Sequence, residues 1–129
     1  MTKHIQVLVV DDQPRARKSL KTLLATWPLA LDVREAANGR EAIRLVEESR
    51  PDVVLMDVRM PEMDGIEATR LIKARWPQVK VIVLSMYPDY VTDALEAKAD
   101  TFFSKGMPPQ ELLATLAAIT GSVKKEESP

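Results

Sequence analysis

The stretch Pro51-Asp52-Val53-Val54-Leu55-Met56-Asp57-Val58-Arg59-Met60-Pro61 decides the fold of this chain. Its four consecutive apolar residues, bounded by turn-forming residues, are typical of a strand buried on both faces of a parallel sheet. A charge is costly inside such a strand, so we expect Asp57 to lie at its C-terminal end. In an open parallel sheet, that edge carries the ligand-binding crevice.

Outward from this stretch, apolar runs alternate with helical patterns along the chain. Strands are predicted at 5–10, 31–36, 53–57, 79–84 and 101–104. Helices are predicted at 14–27, 39–50, 65–76, 88–97 and 108–119. This alternation predicts an α/β fold, with helices covering both faces of a parallel sheet. Right-handed crossovers favour the flavodoxin-like, doubly wound (βα)5 arrangement, with five parallel strands in the order 2-1-3-4-5.

Composition narrows the class of protein. The chain has 129 residues, which favours one domain, and a net charge of −1, which gives no global field for nucleic acid or a membrane. With no cysteine and one histidine, neither a disulfide nor a multi-histidine zinc site is expected. No apolar run approaches the roughly 20 residues of a membrane span. The N-terminal residues lack the apolar core of a signal peptide, so we expect a cytoplasmic protein.

Polar side chains follow the predicted strands at their C-terminal ends. Asp11 and Asp12 follow the first strand, Asp57 ends the third, Ser85 follows the fourth and Lys105 follows the fifth. The predicted topology brings all of them to one edge of the sheet. Crowded carboxylates raise one another's pKa, and a hard divalent cation relieves this repulsion. Mg²⁺ fits best, because it favours oxygen ligands and binds through one or two carboxylates together with phosphate.

This set of groups suits one reaction class. A carboxylate nucleophile, a metal ion, a lysine and a hydroxyl group can transfer a phosphoryl group onto Asp57. Mg²⁺, Lys105 and Ser85 would then face the charge on the phosphoryl oxygens.

At this point the sequence resembles a known family, the receiver domains of two-component response regulators. The resemblance covers about residues 5–120. Its motifs are Asp11-Asp12, Met56-Asp57-Val58-Arg59-Met60-Pro61-Glu62-Met63-Asp64-Gly65, Leu84-Ser85-Met86 and Phe102-Phe103-Ser104-Lys105. The NarL-like branch, which usually carries a C-terminal helix-turn-helix, is indicated by Gln13-Pro14, Gly65-Ile66-Glu67-Ala68-Thr69 and Ser85-Met86.

The resemblance implies a role for each residue around the metal. Asp57 would accept the phosphoryl group from a histidine kinase. Asp12 and Asp57 would bind Mg²⁺ directly, Asp11 would bind it through water, and the backbone carbonyl of Arg59 would complete the ligand set. The chain would thus be a phosphoacceptor that phosphorylates and dephosphorylates itself, and not an enzyme with a separate substrate.

The resemblance also implies a switch. Ser85 and Lys105 would hold the phosphoryl group, and Phe102, three residues before the lysine, matches the switch aromatic. When the phosphoryl group draws Ser85 toward it, Phe102 would turn inward. The face formed by the fourth helix, fifth strand and fifth helix would then change.

Partners and domain limits follow from the same resemblance. We expect a sensor histidine kinase or a phosphotransfer domain as partner, and a homodimer after phosphorylation. The domain itself is not expected to contact nucleic acid or membrane. Residues 1–121 are assigned to the receiver domain and 122–129 to a polar tail or linker stub, which leaves open a stand-alone receiver or a following output domain.

Two positions depart from the family pattern. Gly106 stands where a proline often follows the lysine with a cis bond, and Lys98 stands where a small residue, commonly glycine, usually precedes the last strand. A cis bond without proline costs about 2.5–4 kcal/mol, so the isomer of the Lys105–Gly106 bond is left open.

Three side chains are predicted to line the rim of the pocket. Arg59 and Tyr87 each lie two residues past a strand end of the site, and Met86 lies beside them. We expect Arg59 and Tyr87 to shield or position the water that hydrolyses the acyl phosphate, with Met86 adding apolar bulk on the same side. The alternative is that the side chains of Arg59 and Tyr87 point to solvent. Asp64 is interpreted as a helix cap, and the basic residues of the first helix as a solvated face, with a kinase-docking role as the alternative.

Three other functions are weighed against the receiver. A phosphatase of the haloacid-dehalogenase kind needs an acid two residues after its nucleophile, but Gln13 follows Asp11 at that spacing. A flavodoxin-like flavin carrier needs a phosphate loop after the first strand, where Asp11 and Asp12 would repel the phosphate. A receiver that only docks, without phosphorylation, remains the alternative.

Overall fold

The computed structural model describes residues 5–27 and 30–121. Strands and helices alternate along this part of the chain. The strands are β1 (Ile5–Val10), β2 (Ala30–Ala36), β3 (Val53–Asp57), β4 (Lys80–Ser85) and β5 (Thr101–Ser104). The helices are α1 (Pro14–Leu24), α2 (Gly39–Ser49), α3 (Gly65–Arg75), α4 (Val91–Glu96) and α5 (Pro109–Ile119), with a 3₁₀ helix at Pro88–Tyr90. Residues 122–129, the predicted tail, lie outside the described residues.

The predicted sheet is confirmed. All neighbouring strands are parallel, and their order is β2-β1-β3-β4-β5. The quoted stretch forms the central strand: its residues Val53 to Met56 are fully buried, and Asp57 at its end is only partly exposed. β3 is buried on both faces because helices cover the sheet from both sides, as its unbroken apolar run predicted.

Two apolar clusters form the core, one on each face of the sheet. The first combines strand residues with residues of α2, α3 and α4, and the second combines them with residues of α1 and α5. Within the described residues, no helix is both long and apolar enough to cross a bilayer.

The first helix is shorter than predicted. The sequence pattern placed its end at Trp27, but α1 ends at Leu24. The backbone N–H groups of Thr26 and Trp27 donate to the carbonyls of Leu23 and Leu24, which closes the chain in a tighter turn. Trp27 is nevertheless buried, at 9% exposure. The apolar pattern therefore predicted its burial correctly but not its backbone conformation.

The fourth helix is also shorter than predicted, and the way it ends explains the backbone conformation of Lys98. The apolar pattern of the helix consists of Val91, Ala94, Leu95 and Ala97, of which Ala94 and Ala97 are buried, whereas Leu95 is 55% exposed. After α4 the N–H of Ala99 donates to Ala94 and that of Lys98 to Leu95, which is a Schellman motif. Lys98 therefore adopts φ = +73°, the left-handed conformation that favours glycine. The turn forms in spite of the departure from the family pattern.

The connection that carries Lys105 has an ordinary backbone. No cis peptide bond occurs within the described residues, so the Lys105–Gly106 bond is trans. The N–H of Lys105 donates to the carbonyl of Ser85 at 2.9 Å, and the N–H of Gly106 donates to the hydroxyl of Ser104 at 3.2 Å. The pairing of β5 with β4 thus continues one residue further and sets the position of Lys105.

Candidate functional site

The carboxyl edge of the sheet brings together four of the predicted site residues. Lys105 Nζ donates to Asp57 Oδ1 at 2.7 Å and lies 3.4 Å from Asp11 Oδ2. Asp12 follows Asp11 at the end of β1. The contact between Lys105 and Asp57 links residues that are 48 positions apart in the sequence, and it forms because β3 and β5 flank β4 in the same sheet.

The three carboxylates form a compact cluster. Asp11, Asp12 and Asp57 each offer an oxygen, and these atoms all lie within 4.8 Å of one another. Asp11 is buried, and Asp12 and Asp57 are half-buried. An oxygen-only donor set of this kind is the chemistry that Mg²⁺ favours, so the residues present fit the ion that the sequence predicted.

The surroundings of Asp57 disfavour its charged form. Burial raises the pKa of Asp57, and the charges of Asp11 and Asp12 add to the raise, while the ion pair with Lys105 opposes it. For Lys105, burial acts to lower the pKa, but the hydrogen bond and charge of Asp57 outweigh it and leave the pKa raised. Lys105 is therefore positively charged at neutral pH and provides the cation that faces the acidic cluster.

The raised pKa of Asp57 should affect how the free energy of unfolding depends on pH. In metal-free buffer, ionised Asp57 costs folding free energy at neutral pH. That cost disappears as the pH falls through the raised pKa toward the ordinary value of 3.8. Each pKa unit of the raise corresponds to about 1.4 kcal/mol. Asp57→Asn should therefore be more stable than the wild type at neutral pH, and the difference should shrink on acidification.

Urea unfolding of both proteins across this pH range measures the effect. The variant also loses the ion pair with Lys105, which works against the gain. A variant less stable than the wild type at neutral pH would show that this ion pair outweighs the burial of Asp57.

The start of α3 lies directly against the backbone of Asp57. The N–H of Gly65 donates to the carbonyl of Val58 at 2.8 Å. A Cβ atom at Gly65 would lie 1.9 Å from the carbonyl oxygen of Asp57, so only glycine fits. Asp64 caps the helix by accepting the N–H of Glu67 at 2.9 Å, as its sequence position predicted. The Asp64-Gly65 pair thus fixes the backbone from which the Asp57 side chain projects.

The two predicted switch residues, Ser85 and Phe102, have contacts outside the acidic cluster. Ser85 is buried, and its hydroxyl accepts the N–H of Tyr87 at 2.9 Å. Phe102 is half-buried and packs against the apolar cluster beneath α2, α3 and α4. In this arrangement the hydroxyl of Ser85 is engaged by the segment that leads into α4.

Two of the three residues predicted for the rim, Arg59 and Tyr87, contact each other. The guanidinium of Arg59 lies 4.4 Å from the ring centroid of Tyr87, which is a cation–π contact. Tyr90, which the sequence did not single out, meets Tyr87 edge-on with centroids 6.4 Å apart. Met86 is 59% exposed. The stacked contact joins the loop after β3 to the segment after β4.

The solvated face predicted for Arg15, Arg17, Lys18 and Lys21 is confirmed for all but Arg17, whose side chain is only 17% exposed, whereas that of Lys21 is 45% exposed. Arg17 and Lys21 both donate to Glu35 on the edge strand β2, at 2.8 and 2.9 Å. Arg17 also donates to the backbone carbonyl of Asp11 at 2.6 Å. Helical spacing put both residues on one face, but the sequence carried no signal for a partner on β2. Arg15 and Lys18 are exposed, as predicted.

Comparison with known proteins identifies the relatives of this chain. A family model described as the response regulator receiver domain matches residues 7–117. The chain is 40% identical over 122 residues to the uncharacterized transcriptional regulatory protein YhcZ of Bacillus subtilis, covering 93% of this chain and 57% of the relative. It is 38% identical over 117 residues to the transcriptional regulatory protein DegU of Brevibacillus brevis, covering 89% and 50%. The chain thus spans about half the length of these curated relatives.

Solved structures agree in fold. A two-component response regulator of the LuxR family from Aurantimonas superposes with a TM-score of 0.87 at 33% identity, covering 93% of this chain and 87% of the other. The response regulator domain of Thermotoga maritima CheB superposes with a TM-score of 0.84 at 32% identity, covering 92% and 98%. The match extends over nearly the whole sheet and its helices.

Proposed function

Because this chain belongs to the response regulator receiver domains of two-component systems, we propose that it is a signalling receiver that accepts a phosphoryl group on Asp57. The observation that carries the proposal is the contact of Lys105 Nζ with Asp57 Oδ1 at 2.7 Å, inside a cluster of three carboxylates. In this role the domain is a phosphoacceptor and not an enzyme with a separate substrate.

The transfer begins with the carboxylate of Asp57. One oxygen attacks phosphorus in line with the bond to the donor nitrogen of a phosphohistidine. As the new O–P bond forms, the N–P bond breaks, and its electron pair stays on the leaving imidazole. The product is an acyl phosphate on Asp57. Partial burial of Asp57 leaves its carboxylate poorly hydrated, so little water must be displaced before the attack.

Lys105 provides the positive charge on the protein side. It is already within hydrogen-bond distance of Asp57, and its raised pKa keeps it protonated. As the phosphoryl group arrives, Lys105 would face the charge that spreads over its oxygens. Ser85, one residue beyond the β4 position that pairs with Asp57, would donate its hydroxyl to the same oxygens.

The acidic cluster would hold the metal ion. Asp12 and Asp57 would bind Mg²⁺ directly, Asp11 through water, and Arg59 through its backbone carbonyl. Mg²⁺, when bound, neutralises charge on the phosphoryl oxygens. The three carboxylates would thereby be relieved of the repulsion that contributes to the raised pKa of Asp57.

The switch would start at Ser85. Its hydroxyl now accepts the N–H of Tyr87, so a move toward the phosphoryl group would break this bond and free the segment before α4. Phe102 on the neighbouring strand would then turn inward, and the α4–β5–α5 face would change. A non-phosphorylated docking module is the alternative function, but it leaves the half-buried ion pair of Asp57 and Lys105 without a role.

Partners form part of the same proposal. A sensor histidine kinase or a phosphotransfer domain would donate the phosphoryl group, and the relatives DegU and YhcZ suggest transcription as the regulated output. Exposed Leu95 on α4 would contribute to a homodimer after phosphorylation. Light scattering with and without beryllofluoride tests dimer formation, and equal mass in both states rejects it.

A test of the site that does not depend on phosphorylation uses Mg²⁺ alone. The ion should raise the melting temperature by relieving repulsion within the acidic cluster, with a gain of about 1.4 kcal/mol at ten times the dissociation constant. Asp12→Ala should remove the effect and leave a folded protein. A wild-type melting temperature that does not respond to millimolar Mg²⁺ would count against the site.

The proposed rim residues Arg59 and Tyr87 should influence the lifetime of the acyl phosphate. Arg59 and Tyr87 stack on each other, and we assign this pair to the edge of the pocket, where the hydrolytic water must enter. We expect slow autodephosphorylation, and a several-fold change of its rate in Arg59→Ala and in Tyr87→Ala, with Mg²⁺ affinity nearly unchanged. The decay of the phosphorylated species is timed in both variants. Wild-type rates in both would show that the rim does not control access of water.

A further inference from the structure

Hydrogen bonds to the backbone and side chain of Asp11 fix the turn between β1 and α1. Its N–H donates to the carbonyl of Ala36 at 3.1 Å, and its Oδ1 accepts the N–H of Gln13 at 2.9 Å. Its backbone carbonyl accepts Nη1 of Arg17 at 2.6 Å. Asp11 and Asp12 project from this turn toward Asp57, so the path of its backbone decides where two of the three carboxylates lie.

Arg17 is itself fixed from the other side. Its Nε donates to Glu35 Oε1 at 2.8 Å, and Lys21 Nζ donates to Glu35 Oε2 at 2.9 Å. These two hydrogen bonds hold the pKa of Glu35 below its ordinary value, so Glu35 is ionised at neutral pH. The side chain of Arg17 is only 17% exposed. A continuous connection therefore runs from the edge strand β2 through Glu35 and Arg17 to the turn that carries the acidic pair.

From this connection we propose that Arg17, oriented by Glu35, is a positioning residue for the Mg²⁺ site. It acts through the carbonyl of Asp11 and does not touch the metal. The inference rests on the proposed function, because it requires that Asp11 and Asp12 hold the ion.

Charge and position make opposite predictions for the loss of Arg17. A guanidinium beside the acidic cluster repels a cation, so its removal alone should tighten Mg²⁺ binding. The positioning role predicts the opposite, because Mg²⁺ demands near-ideal octahedral geometry. Loss of a group that orients metal ligands typically weakens metal affinity about 10–100-fold. If Arg17 positions the turn, its removal weakens binding although it takes away a positive charge.

The test is a calorimetric titration of the full chain with MgCl₂ alone. Arg17→Met should weaken Mg²⁺ binding about 10-fold. Glu35→Gln should weaken it in the same direction but less, because Arg17 keeps its bond to Asp11. Arg17→Lys should fall between Arg17→Met and the wild type, since lysine can reach one of the two acceptors but not bridge both. Arg15→Met is the matched control, because it removes an exposed charge from the same helix, and its affinity should stay equal or tighten.

The outcomes separate the two proposals. Unchanged or tighter Mg²⁺ binding in Arg17→Met, with a wild type that binds normally, overturns the positioning role and leaves the proposed function intact. A wild type that binds no Mg²⁺ overturns both. Urea unfolding verifies that each variant is folded. If Arg17→Met is not folded, Glu35→Gln carries the test, and wild-type affinity in that variant overturns the proposal.

Discussion

Asp57→Asn should abolish phosphorylation of this chain by acetyl phosphate and Mg²⁺. The amide cannot attack phosphorus as the carboxylate does, so the reaction loses its nucleophile. The other groups of the site stay in place, because asparagine has nearly the same shape and Lys105 retains Asp11 as a partner at 3.4 Å. On a Phos-tag gel the wild type should give one shifted band and the variant none.

Asp64→Asn is the matched control. Asp64 lies close in sequence, is exposed, and caps α3 through the N–H of Glu67. Asparagine is about as good a helix cap as aspartate, so this variant should fold and be phosphorylated like the wild type. A shifted band that persists in Asp57→Asn would place the acceptor on another residue.

Lys105→Met should slow phosphorylation of Asp57 about 10²–10³-fold, the usual effect of removing one group that stabilises transition-state charge. Methionine keeps much of the length and apolar volume of the side chain but cannot donate to Asp57 or to the phosphoryl oxygens. The loss of a cation beside three carboxylates should at the same time leave Mg²⁺ binding equal or make it tighter. A slow reaction with undiminished metal binding is thus the signature of a group that acts on the phosphoryl oxygens.

Initial rates of phosphorylation, measured at saturating Mg²⁺, give the first quantity, and calorimetry gives the second. Lys18→Met, which removes an exposed lysine from α1, should show wild-type behaviour in both. A rate within a few-fold of the wild type in Lys105→Met would mean that Lys105 does not face the phosphoryl group. A parallel loss of Mg²⁺ affinity would mean that the substitution has distorted the acidic cluster.

The sheet was predictable from local sequence because each strand is an apolar run between turn residues. A run such as Val53 to Met56 is typical of a strand buried on both faces, which is the position of strands in a parallel sheet covered by helices. Once the strand order is known, the polar residues at the strand ends must share one edge. The contact between Asp57 and Lys105 follows from topology, although 48 positions separate the two residues.

The errors arise where tertiary contacts decide. Trp27 continues the apolar pattern of α1, yet it is packed into the core from a tighter turn after the helix ends. Arg17 has the spacing of a solvated helix face, and its role appears only when β2 places Glu35 beside it. Neither contact leaves a local signal in the sequence. Lys98 is different, because the family pattern marked its position as one that commonly holds glycine, and the end of α4 does require a residue with positive φ there.

The central claim is that the phosphoryl group is carried by Asp57, and the most direct test locates it chemically. The wild-type chain is incubated with acetyl phosphate and Mg²⁺, and the acyl phosphate is reduced with borohydride. The digest is then sequenced by tandem mass spectrometry. We expect one modified position, Asp57, converted to homoserine. Modification at Asp11, Asp12 or another carboxylate, or no modification at all, would contradict it.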